Sequence, residues 1–303
     1  MNLEETIEYF NKYPYRMRNG AGYLAKRCHT TENVVKQAKN AVRNNVKQNK
    51  LPKILLFDLE MAPMKAYVWD RWDQNISLDQ TISETFILCY SAKWLYSENI
   101  YTDMLFPNEI KDCNDYRLVN KLWYLLNEAD IVIAYNGIKA DIPWLFSRFL
   151  VYDMPPVKPF VTIDPYKTVK QKFGFSSNKM DAVAGYLGLS KKLPTTFGLW
   201  KRCMEGDMNA MLEMQEYNVQ DVKVLEEVYL KMRPWIKNHP NIDNFIEDDV
   251  CPFCGKKHFM PIQNKYYYTS VNKYPLYRCP DCGGVFRGRK AVKTNTSNLI
   301  CAH

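Results

Sequence analysis

An apolar run that closes on two acids, Ile54-Leu-Leu-Phe-Asp58-Leu-Glu60, sets the terms for this chain. The run reads as a β-strand, and carboxylates at i and i+2 then project from the same face of it. Two like charges there repel. An apolar strand tolerates such a pair when a cation sits between the two, and Mg²⁺ favours hard oxygen ligands of this kind. A solvent-facing strand end carrying two acids is the simpler alternative for the motif taken alone.

The segments around this strand suggest a sheet. Ala66 to Trp69, Phe86 to Trp94 and Asn99 to Asp103 are expected as its neighbours. A helix is expected over Asp115 to Glu128, with Leu118, Leu122, Leu125 and Leu126 on one face, followed by a buried-type strand over Asp130 to Ala134. An Asn136-Gly137 turn and a helix opening near Asp141-Ile-Pro-Trp come next. Further helices are expected over Lys179 to Leu187 and from Met208 through Tyr217 toward Tyr229. This order suggests an α/β sheet domain of roughly 200 residues, most of a 303-residue chain.

The flanks differ from this centre in charge. The chain carries a net +8: residues 1–50 contribute +6, residues 251–303 contribute +8, and the middle is left at −6. Basic ends around an acidic centre suggest modules that touch a polyanion beside a core that holds something cationic; solvated surfaces would give the same count. Residues 1–50 read as helical, with Leu3, Ile7, Phe10 and Tyr13 at helical spacing. Gly20 to Cys28 and Glu32 to Arg43, joined by His29-Thr-Thr31, form a pair in which Thr31 could cap the second helix. The pair resembles a helix-turn-helix, which would place Lys36, Lys39 and Arg43 along an exposed face; a plain helical hairpin is the alternative. The polar stretch Asn44 to Lys50 is expected as a linker.

Cysteine placement defines the other end. Cys251-Pro-Phe-Cys254-Gly and Cys279-Pro-Asp-Cys282-Gly are two thiolate knuckles, and two knuckles complete a tetrahedral site for one structural Zn²⁺. The spacer between them holds Tyr266, Tyr267, Tyr268, Tyr274, Tyr277 and Arg278, which fits a small zinc ribbon of short strands. Cys28, Cys89, Cys113, Cys203 and Cys301 show no such pairing. No apolar run approaches the ~20 residues of a bilayer crossing. The N-terminus, acidic at Glu4, Glu5 and Glu8, has no signal-peptide core, so a cytoplasmic protein is expected, in the host cytoplasm if it is viral. The expected organisation is 1–50 helical, 51–240 the α/β domain, and 248–303 the ribbon with a basic tail.

Two further acidic elements complete a pattern. Ile133-Ala-Tyr-Asn136-Gly-Ile-Lys-Ala-Asp141-Ile-Pro-Trp-Leu145 would deliver Asp141 to the sheet edge at a helix start. Read alone, Asp141 is an N-cap. Tyr217-Asn-Val-Gln-Asp221 puts a phenol and a carboxylate one helical turn apart on one face. Taken together, D-x-E, D and Y-x-x-x-D resemble the DEDDy branch of the DnaQ-like 3′-5′ exonucleases. FDLE is similar to their Exo I segment, YNGIKADIPWL to Exo II and YNVQDVKVLEEVY to Exo III. The resemblance covers about residues 53–233 and includes Trp94, the Ile163-Asp164 strand end, Met180-Asp-Ala-Val-Ala and Leu199-Trp200. It is strongest toward phage and archaeal stand-alone proteins related to the proofreading domain of family B DNA polymerases. Two residues depart from the pattern: Met61 stands where Thr usually follows the Exo I Glu, and Ala140 where Phe usually precedes the Exo II Asp.

The resemblance implies a ribonuclease H-like mixed sheet flanked by helices and a two-metal mechanism. Asp58 would bridge two Mg²⁺ or Mn²⁺ ions, Glu60 and Asp221 would complete the first site, Asp141 would serve the second, and Tyr217 would orient the attacking water. Leu59, Met61 and Asn136 would contact the terminal nucleotide. The implied substrate is a DNA 3′ end, single-stranded by preference, with nucleoside 5′-monophosphates as product and a DNA polymerase or replisome component as a possible partner. RNA 3′ ends, or non-catalytic binding on a nuclease scaffold, are the competing readings. Arg278, Arg287, Arg289, Lys290 and Lys293 among the ribbon tyrosines would suit single-stranded nucleic acid, though the tyrosines could equally be ribbon core. Lys170, Lys172 and Lys191-Lys192 would line the approach to the site or be solvated only.

Overall fold

The computed structural model describes residues 1–12, 20–48, 51–246 and 249–292. Its contacts divide the chain into two units, one of residues 1–52 with 241–258 and one of 53–240 with 259–303. The first unit opens with helices α1 (Leu3–Lys12), α2 (Ala21–Arg27) and α3 (Glu32–Gln48). Phe10, Leu24, Ala25, Val35 and Ala38 are buried together where these helices meet. The Val34 amide donates to Thr31 Oγ1 at 3.3 Å, so Thr31 caps α3 as its residue type predicts. One expectation fails here: α3 runs through Gln48, so most of the supposed linker is helical. Asn, Lys and Gln have workable helix propensity even though they carry no apolar stripe to announce a helix. Tyr13, Lys50, Lys293 and Cys301, with the side chains of Val42 and Arg43, lie outside the described residues.

The second unit begins with β1 (Ile54–Met61), then β2 (Lys65–Ala66), β3 (Thr81–Ser83), β4 (Ile87–Trp94) and β5 (Ile100–Met104). Helices α4 (Pro107–Lys111) and α5 (Tyr116–Glu128) follow. Then come β6 (Ile131–Ile133), α6 (Asp141–Val151), β7 (Val161–Ile163), α7 (Pro165–Lys172), α8 (Met180–Tyr186), α9 (Phe197–Met204) and the 25-residue α10 (Met208–Met232). The principal sheet has the order β5-β4-β1-β6-β7. Strand β1 is central, antiparallel to β4 and parallel to β6, and β6 is parallel to β7. Leu55, Phe57 and Leu59 join the main hydrophobic core with Leu118, Leu122 and Leu126 of α5, the leucines whose spacing predicted that helix. The alternation of β1 therefore turns Asp58 and Glu60 to the opposite face, the side on which α10 packs against β1 and β4.

The expectation that Ala66 to Trp69 would neighbour β1 does not hold. Only Lys65–Ala66 is extended, and it pairs with β3 in a separate two-stranded sheet. Trp69 is 96% exposed. Aromatic and β-branched residues suit a pleated surface only where a neighbour strand supplies one.

The C-terminal strands β8 (Met260–Tyr268), β9 (Lys273–Arg278) and β10 (Val285–Arg287) form an antiparallel sheet of order β10-β9-β8. Phe259, Tyr277 and Phe286 pack ring to ring as its small core, with centroids 5.4–5.9 Å apart. Tyr267 and Tyr268 stay exposed, so the spacer tyrosines divide between core and surface. The last helix, α11 (Asp243–Ile246), belongs to the first unit. None of the described cysteines forms a disulfide. No helix among the described residues is long and apolar enough to cross a membrane.

Candidate active site

Glu60 sits where β1 loses its regular pairing: opposite Cys89, one residue before a register shift that sets Met61 against Ile87. Asp58, paired with Ser91, keeps some exposure, whereas Glu60 is buried. Helix α10 brings Asp221 over them. Carboxylate oxygens of Asp58, Glu60 and Asp221 all lie within 4.8 Å of one another, a spacing at which one cation can touch three ligands. Asp141 enters from α6 and is the first residue of that helix, after Ala140 rather than as the cap itself. Its Oδ1 accepts the Leu59 amide at 3.3 Å, which ties it to the strand between the two β1 acids.

The turn that delivers Asp141 is built from two backbone requirements. Asn136 takes φ 62, the left-handed region that Asn tolerates better than most residues. At Gly137 an added Cβ would come within 2.3 Å of the Ala134 Cβ, so only glycine fits. Asp164, at the end of β7, fixes this turn from outside: its Oδ1 accepts the Asn136 amide at 2.8 Å and the Tyr166 amide at 3.0 Å.

Four carboxylates brought this close, three of them buried, resist ionisation together. Burial, then Asp141, Glu60 and Asp221, push Asp58 well above the ordinary carboxylate range, with Lys192 pulling the other way. Burial and the Asp221 charge push Glu60 up to about 8. Burial raises Asp141 to about 6, against the backbone N–H groups that favour its charged form. Asp221 is raised by burial as well, although Lys192 and the Tyr217 hydroxyl favour its ionised form. Burial carries Tyr217 up to about 12, so its phenol stays protonated at neutral pH.

Two residues complete the site: Lys192, expected to line the approach or be solvated only, and Asn218, which the sequence reading did not single out. Lys192 Nζ stands 2.5 Å from Asp221 Oδ2 and 5.2 Å from the centre of the Tyr217 ring. Burial alone would lower its ammonium, but Asp221 outweighs burial and holds it charged. In sequence it was one of a basic pair, with no periodicity to tie it to Asp221. Asn218, fully buried on α10, donates from Nδ2 to Asp58 Oδ2 at 2.8 Å. Its i, i+3 relation to Asp221 was a legible signal, since that spacing puts both on one helix face. Asp164 was visible only as a strand end, although an Asp before Pro165 is a helix-start signature that α7 obeys.

The remaining candidates divide. Leu59 is 6% exposed and lies in the core, and its backbone amide donates to Asp141. Met61 and Asn136 are half-buried, at the bulge and at the turn before Asp141. Arg278 and Arg287 belong to the three-stranded ribbon sheet rather than the acid-bearing one, and Arg289 follows it. Arg287 lies 4.3 Å from the Tyr274 ring centre and 5.5 Å from that of Tyr267.

The acids fit a divalent cation. Asp221 Oδ1 is buried with no hydrogen-bond partner, and a set of hard oxygens with raised proton affinity suits Mg²⁺ or Mn²⁺. Cys251 with Cys254, and Cys279 with Cys282, are two thiolate knuckles that together make up a four-cysteine group of the kind that could hold zinc. Gly255 and Gly283 follow the knuckles at φ 72 and 74, conformations open to glycine.

Residues 88–233 match the family model of the RNase_H superfamily. The mixed five-stranded sheet flanked by helices is an RNase H-like fold, the one the sequence resemblance implied. Among solved structures, the chain is similar to the family B DNA polymerase from the hyperthermophilic archaeon Pyrobaculum calidifontis. The TM-score is 0.43 and the identity 14%, over 75% of this chain and 33% of the polymerase. This chain thus spans about a third of that polymerase's length. No curated protein matches the sequence.

Proposed function

We propose that this protein is a divalent-metal-dependent 3′-5′ exonuclease that hydrolyses the terminal phosphodiester of single-stranded DNA and releases nucleoside 5′-monophosphates. One observation carries the reading: Asp58, Glu60 and Asp221 converge within 4.8 Å, with Asp141 hydrogen-bonded to the strand between the first two. Four converging carboxylates, three of them buried, with one lysine among them are a poor device for stability and a good one for binding cations.

In this reading Asp58, Glu60, Asp221 and Asp141 hold two Mg²⁺ or Mn²⁺ ions. Such ions, when bound, lower the pKa of an attacking water and stabilise the departing 3′ oxygen. The protein's own residues do the positioning. Asn218 fixes Oδ2 of Asp58 and so holds the orientation of that carboxylate, which would help to bind the ions. Tyr217, protonated and next to Lys192, orients the water without acting as its base. Asn136, held by Asp164, and Met61 flank the terminal nucleotide. Water oxygen bonds to phosphorus, the bond to the 3′ oxygen breaks, and the proton released ends on that oxygen. Zinc at the four cysteines would be structural. The three-part organisation at 1–50, 51–240 and 248–303, the basic flanks as nucleic-acid contacts, and a polymerase or replisome partner belong to the same proposal.

Oligonucleotides labelled separately at each end test it. With Mg²⁺ a 5′-labelled single-stranded DNA should shorten progressively from its far end, and a 3′-labelled one should lose its label at once as mononucleotide; EDTA should stop both. Preferential loss of RNA would move the substrate class. Protein inert toward DNA and RNA in both Mg²⁺ and Mn²⁺ would remove the enzyme reading and leave a binding protein.

A further inference from the structure

Strands β1, β6 and β7 are parallel, so their carboxyl ends open on one edge of the sheet. The acid cluster occupies the end of β1. Two strands along, the end of β7 opens on a cavity of about 340 Å³. Its wall includes Ile138 from the turn that begins at Asn136, Asp164, Lys167 and Lys172 of β7 and α7, and Lys237 and Asn238 after α10.

The chemistry of this wall is specific. Its three lysines are exposed, and among the described residues none of them closes a salt bridge. Asp164, by contrast, is 94% buried, the complement of its 6% exposure. Both amides it holds go to Oδ1, and Oδ2 is buried with no hydrogen-bond partner. Exposed ammonium groups at Lys167, Lys172 and Lys237 along one cavity match the phosphates of a nucleic-acid strand, with Asp164 buried in its wall and holding the turn at Asn136.

Position adds register. Two interstrand steps are roughly 10 Å, or about three nucleotides at the ~3.4 Å stacked rise of a strand. We propose that this cavity is a second nucleic-acid subsite, which grips the backbone of the substrate strand about three nucleotides from the bond at the acids. The register rests on the exonuclease reading; the binding does not.

The experiment compares wild type with a Lys167→Ala, Lys172→Ala, Lys237→Ala triple variant, and with a control triple at the exposed Lys65, Lys111 and Lys231. Binding of a fluorescein-labelled twenty-nucleotide oligo(dT) is followed by anisotropy in EDTA across a salt series, with melting temperature as the check on folding. The cavity variant should bind about tenfold more weakly, and its slope of log K against log salt should be shallower by about 2, the value for three lost single-strand phosphate contacts. The control triple should change both much less. In Mg²⁺, turnover of a dinucleotide should be unchanged while the advantage of a ten-nucleotide substrate over it disappears. Equal losses in the two triples, or an unchanged slope in the cavity triple, would overturn the subsite. A shifted slope in a protein that cleaves nothing would keep the subsite and remove the exonuclease reading.

Discussion

Lys192 Nζ lies 2.5 Å from Asp221 Oδ2, which stands with Asp58 and Glu60 in the acid cluster. The ammonium partly neutralises Asp221 in the metal-free protein, and a divalent ion at the same carboxylates must share them with it. Removing it therefore has opposite effects on the two states. Lys192→Met should lower the melting temperature in EDTA. Breaking one side of a buried ion pair costs roughly 3 kcal/mol, and in a chain of this size each kcal/mol is about 2–4 °C. The same variant should bind Mn²⁺ about tenfold more tightly by calorimetry, since a positive charge near the site has gone. Weaker Mn²⁺ binding would mean that Lys192 organises the ligands rather than competing for them.

The acids also set a pH dependence with a definite sign. Burial lifts Glu60 to about 8 and Asp141 to about 6, above their values in an unfolded chain. Between the unfolded and folded pKa the native state holds protons that the unfolded chain has released, so stability falls as pH rises through that window. In EDTA the melting temperature should therefore decline from about pH 5 to pH 8. Saturating Mg²⁺ should flatten the decline, with its largest stabilisation at the alkaline end. A metal-free melting temperature that rises over the same interval would contradict the raised carboxylates.

Metal analysis of the purified chain should find about one zinc, bound by Cys251, Cys254, Cys279 and Cys282. Cys279→Ser should lose it and melt earlier, while dinucleotide hydrolysis, which depends on the acid cluster, should persist. Full zinc retention by that variant would count against the four-thiolate site.

What could be read from the sequence was whatever depends on spacing within one element. Asp58 and Glu60 share a strand face and Tyr217 and Asp221 a helix face, because periods of 2 and 3.6 are local geometry. Gly137 could be placed in a turn, but its contact with Ala134 needed the folded backbone. Lys192 and Asp164 act across 29 and 28 residues, on Asp221 and Asn136, and no periodicity records an approach of that length. The Ala66–Trp69 segment shows the converse. Its residue types favour a strand, yet most of it has no partner strand, and tertiary context decides whether such a segment joins a sheet.

The central claim is that Asp58 and its neighbours form one divalent-metal site. Calorimetric titration of wild type and Asp58→Asn with Mn²⁺ tests it without reference to any substrate. Wild type should bind two ions per chain at pH 7.5 with release of protons, and the variant should lose at least one of them. Equal stoichiometry and affinity in the two proteins would contradict the account.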